Sequence, residues 1–329
     1  MKKLLISIIA IGIVATMLGT GTFSYFSDTE TSGVNTFTAG TVNIKVGDND
    51  PWTASYTVAN IEPSYTGYIT FTVNNVGTSP VVVWKQLVVT AQGPGTTPES
   101  ELAEDPTDTF NNIASWIFYD LYSSNLGWII PAANKVRIDN VNNCWIKLGT
   151  LNAGESMYVE QSYHLRQETT NWAQGDTMTF TITLQAVQTN APSPVATSGT
   201  MTLENKDAYW SPITSDGISG TVNYNYAGNI LSGTFSAAGI PAGGYDLIYY
   251  ADPWPGTGGN ILASNVATPI INAAFSGTVP SANDANLPVG VKVWLVPHGE
   301  FVPGNPAAWP NGWNPSSYLF EMNLINLPQ

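Results

Sequence analysis

The sequence predicts a mainly β protein with two β-sandwich domains of the jelly-roll or immunoglobulin-like kind, the first carrying one packed amphipathic helix. Charged residues make up only 10% of the chain and hydrophobic residues 43%, a balance that favours packed cores over disorder. Short runs of alternating or continuous apolar residues recur along the chain, as in strands of sandwiches. The 22 prolines and 30 glycines fall largely between these runs, where turns are expected.

The N-terminus predicts an export signal. Lys2 and Lys3 precede an apolar stretch over residues 4–18, and small residues follow it, which is the pattern of a secretory signal peptide. The apolar stretch is shorter than the ~20 residues that span a bilayer. We therefore predict a signal peptide over residues 1–24, cleavage between Ser24 and Tyr25, a secreted or cell-surface protein, and no membrane attachment after cleavage.

The first sandwich is predicted over residues 38–190. Its strand-like runs are residues 41–46, 53–58, 68–73, 81–90, 157–165 and 177–187. One segment, residues 108–123, departs from this pattern because Phe110, Ile113, Ile117 and Leu121 follow the spacing of an amphipathic helix. We expect that helix to pack against the sandwich.

A second sandwich is predicted over residues 215–329, after a Pro-rich and Ser/Thr-rich linker over residues 191–214. Its strand-like runs are residues 217–226, 230–237, 245–250, 270–279, 289–296 and 318–325. Gly228 and Asn229 between the first two runs indicate a hairpin. The phrases around Asp252, Trp294 and Trp313 resemble a C-terminal module of archaeal secreted proteins, for which no activity is implied.

Three separated blocks of the first region resemble the TasA/camelysin family of secreted fibre subunits. The matching residues in the first block are Gly19, Gly21, Thr22, Phe23, Tyr25, Phe26, Asp28, Phe37, Ala39, Gly40, Thr41, Val42 and Ile44. The second block is residues 60–63 and 67–77, with Ser64 in place of the usual Gly. The third is residues 151–156, with Ala153 in place of the common Pro, and residues 171–188. The resemblance covers about residues 1–190.

The resemblance implies a subunit that polymerises head to tail by strand donation. The donor would be residues 25–37, freed by signal cleavage, with Tyr25, Phe26, Val34 and Phe37 as anchors. Its partner would be another copy of the same chain, with other matrix proteins or surface glycans as further candidates. A disordered terminus and an intramolecular first strand remain the alternatives.

A different function is a monomeric cell-surface adhesin or carbohydrate-binding protein. Trp254, Trp309 and Trp313 lie among prolines and glycines, where exposed indoles would stack on sugar rings. The alternative is that these tryptophans cover the end of the second core, burying large apolar area.

The sequence offers no catalytic constellation, so no enzyme is predicted. A metallo-endopeptidase, the label of some camelysin relatives, is the remote alternative, because a zincin needs two histidines one helical turn apart with a glutamate base. The chain has only His164 and His298, in different predicted domains, and neither stands in such a motif. The sequence also lacks the G-x-S-x-G elbow of serine hydrolases. The net charge of −14 argues against nucleic acid as a partner.

Calcium is the one candidate cofactor. Asp48 and Asp50, and separately Asp284, lie in short oxygen-rich stretches of the kind that bind Ca²⁺ outside cells. Neither stretch matches a complete calcium loop, and solvated turns are the alternative. The single cysteine, Cys144, excludes an intrachain disulfide, and we expect it to be buried, with intermolecular pairing as the other option.

Overall fold

Antiparallel β-sheets make up most of the fold, as the sequence predicts. The structure, a computed structural model, describes residues 40–50, 52–59, 61–207, 210–250, 259–279, 290–303, 310 and 314–327. The first nine strands are β1 Ile44–Val46, β2 Thr53–Ala59, β3 Thr66–Asn75, β4 Val81–Gly93, β5 Ile117–Ser123, β6 Gly127–Ile130, β7 Trp145–Leu151, β8 Ser156–Leu165 and β9 Thr177–Gln188. Two short helices, α1 Glu99–Leu102 and α2 Ile138–Val141, lie in the connections.

These nine strands form two sheets that share one hydrophobic core. The strand orders are β1-β3-β8-β5-β6 and β2-β9-β4-β7. Along β3, Ile69, Phe71 and Val73 are buried and alternate with exposed residues, which is the period-2 pattern of a strand with one face on a core. Met178 and Phe180 of β9 join the same core from the other sheet.

Nine further strands build the second pair of sheets. They are β10 Ser198–Glu204, β11 Ser219–Ala227, β12 Ile230–Ala238, β13 Gly244–Tyr250, β14 Gly259–Ala267, β15 Ile270–Thr278, β16 Gly290–Pro297, β17 Phe320–Glu321 and β18 Ile325–Asn326. The strand orders are β15-β12-β11-β10-β17 and β14-β13-β16-β18. Strands β11 and β12 form the hairpin predicted from Gly228 and Asn229, which both have positive φ.

The predicted amphipathic helix over residues 108–123 is wrong. A short 3₁₀ turn, Ile113–Trp116, leads into strand β5, which pairs with β8 from Ile117 to Ser123. Ile117, Tyr119 and Leu121 are all buried, so the inward positions follow a period of two rather than 3.6. A short apolar run fits both periods, and the neighbouring strand decides between them because pairing satisfies the backbone.

The predicted linker over residues 191–214 is also wrong in part, since β10 occupies residues 198–204 and pairs with both β11 and β17. The domain boundaries themselves stay predictions. Side chains also join the first pair of sheets to the second: Asn326 of β18 accepts a hydrogen bond from the Trp145 backbone N–H at 2.7 Å and donates to the Trp145 carbonyl at 3.1 Å. This side chain therefore covers part of the outer edge of β7.

Within the described part of the chain, no helix has the length and apolar character needed to cross a membrane.

Candidate functional site

Two of the blocks that carry the resemblance meet around Asn75, a buried residue at one end of the first pair of sheets. The Asn75 side-chain amide donates to the carbonyls of Ser79 and Leu151 at 2.9 and 3.2 Å. Its side-chain oxygen accepts from the Gly77 N–H at 3.0 Å, and its backbone carbonyl accepts from the Gly154 N–H at 2.9 Å. One asparagine therefore holds the end of β3 and the turn after it against residues 151–154.

The remaining block, which leads into β1, binds to the same place. The Thr41 carbonyl accepts from the Thr78 N–H at 3.0 Å, and the Asn43 carbonyl accepts from the Val76 N–H at 3.0 Å. Gly77 faces this segment so closely that a Cβ atom there would lie 2.4 Å from the Thr41 oxygen. Only glycine fits without movement of the backbone, so the chain that follows the predicted donor segment is fixed to the sandwich here.

The sheet edges beside this segment are staggered. Strand β1 pairs only with Val73–Asn75 at the end of β3. Strand β2 pairs with β9 from Thr177 to Thr183 and ends before Leu184. Among the described residues, positions 66–71 of β3 and 184–188 of β9 therefore have a strand neighbour on one side only.

The two open edges differ in how well their inward side chains are covered. On β3, Ile69 and Phe71 are 7% and 8% exposed. On β9, Phe180 and Ile182 are buried, but the next inward-facing residues, Leu184 and Ala186, are only half-buried. The end of β9 is thus the edge at which apolar surface remains uncovered.

Leu184 and Ala186 line a cleft of about 250 Å³ between the end of β9 and β1, called here the edge cleft. Its lining consists of Val42, Asn43, Ile44, Val46, Asp50, Trp52, Leu184 and Ala186. Most of these residues are apolar, and Val42 is 39% exposed. A cleft with this lining beside unpaired backbone fits an added strand with apolar anchors.

A family model describes the region that contains these strands. Residues 1–92 match the camelysin metallo-endopeptidase family. The match includes the segment leading into β1, the Asn75–Gly77 turn and most of β4, and it confirms the resemblance over these residues. It spans less than half of the chain, and no curated protein matches the sequence. The resemblance of the C-terminal region to an archaeal module stays a prediction.

Among the described residues, the two histidines do not form a site that fits the metallo-endopeptidase description of that family. His164 Nδ1 lies 2.9 Å from the Thr66 hydroxyl, and its Nε2 contacts the carboxylate of Asp120. His298 Nδ1 lies 2.9 Å from an Asp246 oxygen, in the second pair of sheets. Each imidazole is therefore bonded to a single carboxylate, and the two belong to different parts of the fold.

Most residues predicted to act in the function lie outside the described residues: Ser24, Tyr25, Phe26, Val34, Phe37, Trp254, Asp284, Trp309 and Trp313. Their roles stay predictions. Asp48 lies in the turn after β1, and Asp50 lines the edge cleft, both exposed. Calcium binding by either also stays a prediction. Cys144 is buried as expected, and burial raises the pKa of its thiol to about 12.

A carboxylate cluster that the sequence does not predict lies between the β4–β5 and β8–β9 connections. It comprises Glu101 of α1, Asp108 in the following loop, and Asp176 immediately before β9, with ligand oxygens all within 4.8 Å of one another. Glu101 and Asp176 are 2% and 1% exposed. Within the described chain this is the one group of three such side chains close enough to share a metal ion.

The electrostatics of the cluster disfavour three ionised carboxylates. Burial, together with the negative charges of Glu101 and Asp108, raises the pKa of Asp176 to about 7. Burial and neighbouring negative charge also raise the pKa of Glu101. The sequence carried a partial signal, since Asp176 closes the Asn-x-x-Gln-Gly-Asp phrase of the third block. Asp108 and Glu101 precede Asp176 by 68 and 75 residues, so the cluster exists only in the fold.

Proposed function

We propose that this chain is a secreted structural subunit of an extracellular matrix fibre or pilus, and not an enzyme. Residues 25–37 of one mature subunit add as a strand beside residues 184–188 of β9 in the next subunit. The observation that carries this proposal is the edge cleft, where Leu184 and Ala186 lack the cover that the preceding inward residues of β9 have. The camelysin match of residues 1–92 supports it.

The chemistry of the edge suits a donated strand. Unpaired strand-edge N–H and C=O groups bind an extended peptide through main-chain hydrogen bonds, while pockets for alternate side chains set the register. Val34 and Phe37 are three positions apart and face opposite sides of a regular strand, so one or the other enters the edge cleft as the apolar anchor. Burying one such side chain contributes roughly 1.5–3 kcal/mol, which adds to the contribution of the main-chain hydrogen bonds.

A second copy is the occupant that we favour. The segment from Thr41 to Val46 runs antiparallel to the end of β3, with Thr41 hydrogen-bonded to Thr78 beyond that end. The described chain thus begins beyond the end of β3, and in this proposal the donor segment that precedes it binds a neighbouring subunit. Donor and acceptor surfaces differ, so the contact is heterologous and propagates into a filament when rotation does not close it.

Negative-stain microscopy of residues 25–329 tests the proposal, with two substitutions on adjacent β9 positions. Ala186→Glu places a charge in the edge cleft, whereas Gln185→Glu places the same charge on the exposed face of the strand. We expect filaments from the wild type and from Gln185→Glu, and none from Ala186→Glu or from a chain lacking residues 25–37. Protein collected from culture medium should begin at Tyr25.

Filaments from Ala186→Glu and from the truncated chain would refute strand donation into the edge cleft. Thr70→Pro tests the open edge of β3 as the alternative acceptor. The Gly47 N–H donates to the Thr72 carbonyl and the Val76 N–H donates to the Asn43 carbonyl, so the backbone groups of even-numbered residues of β3 face the open side. Proline at Thr70 therefore removes an outward N–H, and loss of filaments in that variant alone would move the acceptor to β3. A peptidase activity abolished by EDTA would overturn the structural role.

A further inference from the structure

The carboxylate cluster of Glu101, Asp108 and Asp176 contains buried oxygens that receive no hydrogen bond. Both carboxylate oxygens of Asp176 and the Oε2 atom of Glu101 are buried without a hydrogen-bond partner. Leaving a charged group in this state costs more than the roughly 1–3 kcal/mol of a buried neutral polar group. Three such oxygens in one place therefore need a compensating positive charge or proton.

The surrounding donors serve other acceptors. The nearby carboxylate of Asp105 accepts the backbone N–H groups of Thr109 and Phe110 at 2.5 and 2.7 Å. The Thr97 hydroxyl donates to one oxygen of Asp108 at 3.0 Å. Backbone N–H groups thus stabilise the ionised form of Asp105, and the Thr97 hydroxyl positions Asp108. Neither oxygen of Asp176 receives a hydrogen bond.

We infer that Glu101, Asp108 and Asp176 form a calcium-binding site. Calcium takes six to eight oxygen ligands at about 2.3–2.6 Å in flexible geometry, so ligand oxygens on opposite sides of one ion lie roughly 4.6–5.2 Å apart. One oxygen from each of the three carboxylates lies within 4.8 Å of the other two, which fits one ion between them. The all-carboxylate donor set favours a hard cation over zinc, which prefers nitrogen and sulfur ligands.

The ion would join two connections of the first pair of sheets. Glu101 and Asp108 belong to the β4–β5 connection, and Asp176 ends the β8–β9 connection. Glu104 already links the two by accepting from the Thr170 hydroxyl at 2.6 Å. Gly175 lies so close to Thr96 that a Cβ atom there would be 1.9 Å from the Thr96 carbonyl oxygen. Calcium bound here therefore stabilises the folded sandwich and leaves the edge cleft unchanged.

The test uses residues 25–329 at a concentration below that of assembly, with thermal unfolding followed in EDTA and in increasing CaCl₂. We expect the Tm of the wild type to rise with calcium, because a ligand that binds only the folded state stabilises it by mass action. Asp176→Asn should unfold at a higher temperature than the wild type in EDTA, since it removes a buried carboxylate that is repelled by its acidic neighbours, and should show no calcium-dependent rise. Asp108→Asn, at a less buried position, should lower calcium affinity by at least about tenfold by calorimetry.

The matched control is Glu62→Gln, which removes an exposed carboxylate from the β2–β3 connection and should respond to calcium as the wild type does. The inference is overturned if calcium up to about 10 mM, the range of weak extracellular sites, leaves the wild-type Tm unchanged. It is also overturned if Asp176→Asn retains the full rise, or if MgCl₂ gives the same rise as CaCl₂. Because the readout is the unfolding of the subunit, these outcomes are independent of whether filaments form.

Discussion

Replacing Lys85 with methionine measures what a buried ammonium costs the first core. Lys85 lies on β4 and is fully buried, and its Nζ donates to the Tyr119 hydroxyl at 2.7 Å. The Tyr119 hydroxyl in turn donates to the side-chain oxygen of Gln161 at 2.8 Å. Burial lowers the pKa of Lys85 to about 7 from its ordinary value of 10.5, since a low-dielectric interior disfavours the charged form.

The sign of the pH dependence follows from proton binding. Between about pH 7 and pH 10.5 the unfolded chain holds a proton on Lys85 that the folded chain has released, so stability rises with pH by about 1.4 kcal/mol per pH unit. Below pH 7 the cost of burying the charge is present in full, and it disappears as the pH approaches 10.5. From pH 7.5 to pH 9 the wild type should therefore gain about 2 kcal/mol from this group.

Lys85→Met should remove that gain. We expect its unfolding free energy, relative to the wild type, to fall by about 2 kcal/mol between pH 7.5 and pH 9, and the variant to be the more stable protein at the lower pH. Urea unfolding followed by tryptophan fluorescence measures the difference, in which other titrating groups cancel. Lys135→Met, at an exposed lysine, is the control and should show a constant difference. A constant difference for Lys85→Met as well would refute the reasoning.

Three further predictions concern single contacts. Burial and the raised pKa of Cys144 should protect its thiol from iodoacetamide in the folded protein, with labelling only in denaturant; rapid labelling of the native chain would contradict this. Gly77→Ala should lower the Tm clearly, because its methyl group meets the Thr41 backbone, and an unchanged Tm would show that this segment is loosely held. Asn326→Ala should lower the unfolding free energy by about 1–3 kcal/mol, since the two hydrogen bonds to Trp145 are lost; a change below about 0.5 kcal/mol would mean that water replaces them.

Strands in which buried and exposed residues alternate regularly were predictable from the sequence. Strands without this regular alternation were not. Strands β3, β8 and β9 were located to within one or two residues because one face meets the core and the other meets solvent. The sequence predicts a helix where β5 lies, because the inward residues of β5 also fit helical spacing. Strand β10 lay inside a segment whose prolines indicated a linker, and its pairing with β11 is a contact that local composition does not encode.

The candidate sites divide in the same way. The motif containing Asn75 and Gly77 is present in the sequence. Only the fold explains it, because three chain segments pack together there at one end of the sandwich. The edge cleft depends on where β2 ends along β9, which is a matter of register. The carboxylate cluster joins Asp176 to residues of a loop that is distant in the sequence. No local sequence pattern therefore predicts it.

The sequence by itself determined the mainly β class, most strand positions, the burial of Cys144 and the resemblance of the N-terminal region to camelysin, since these depend on local periodicity, composition and contiguous motifs. The tertiary structure decided that residues 117–123 are a strand, that the end of β9 keeps uncovered apolar side chains, and that three carboxylates converge. These outcomes depend on which segments become neighbours. Only the assembled sheets fix those neighbours, because backbone pairing and the burial of apolar side chains are satisfied jointly by the whole chain.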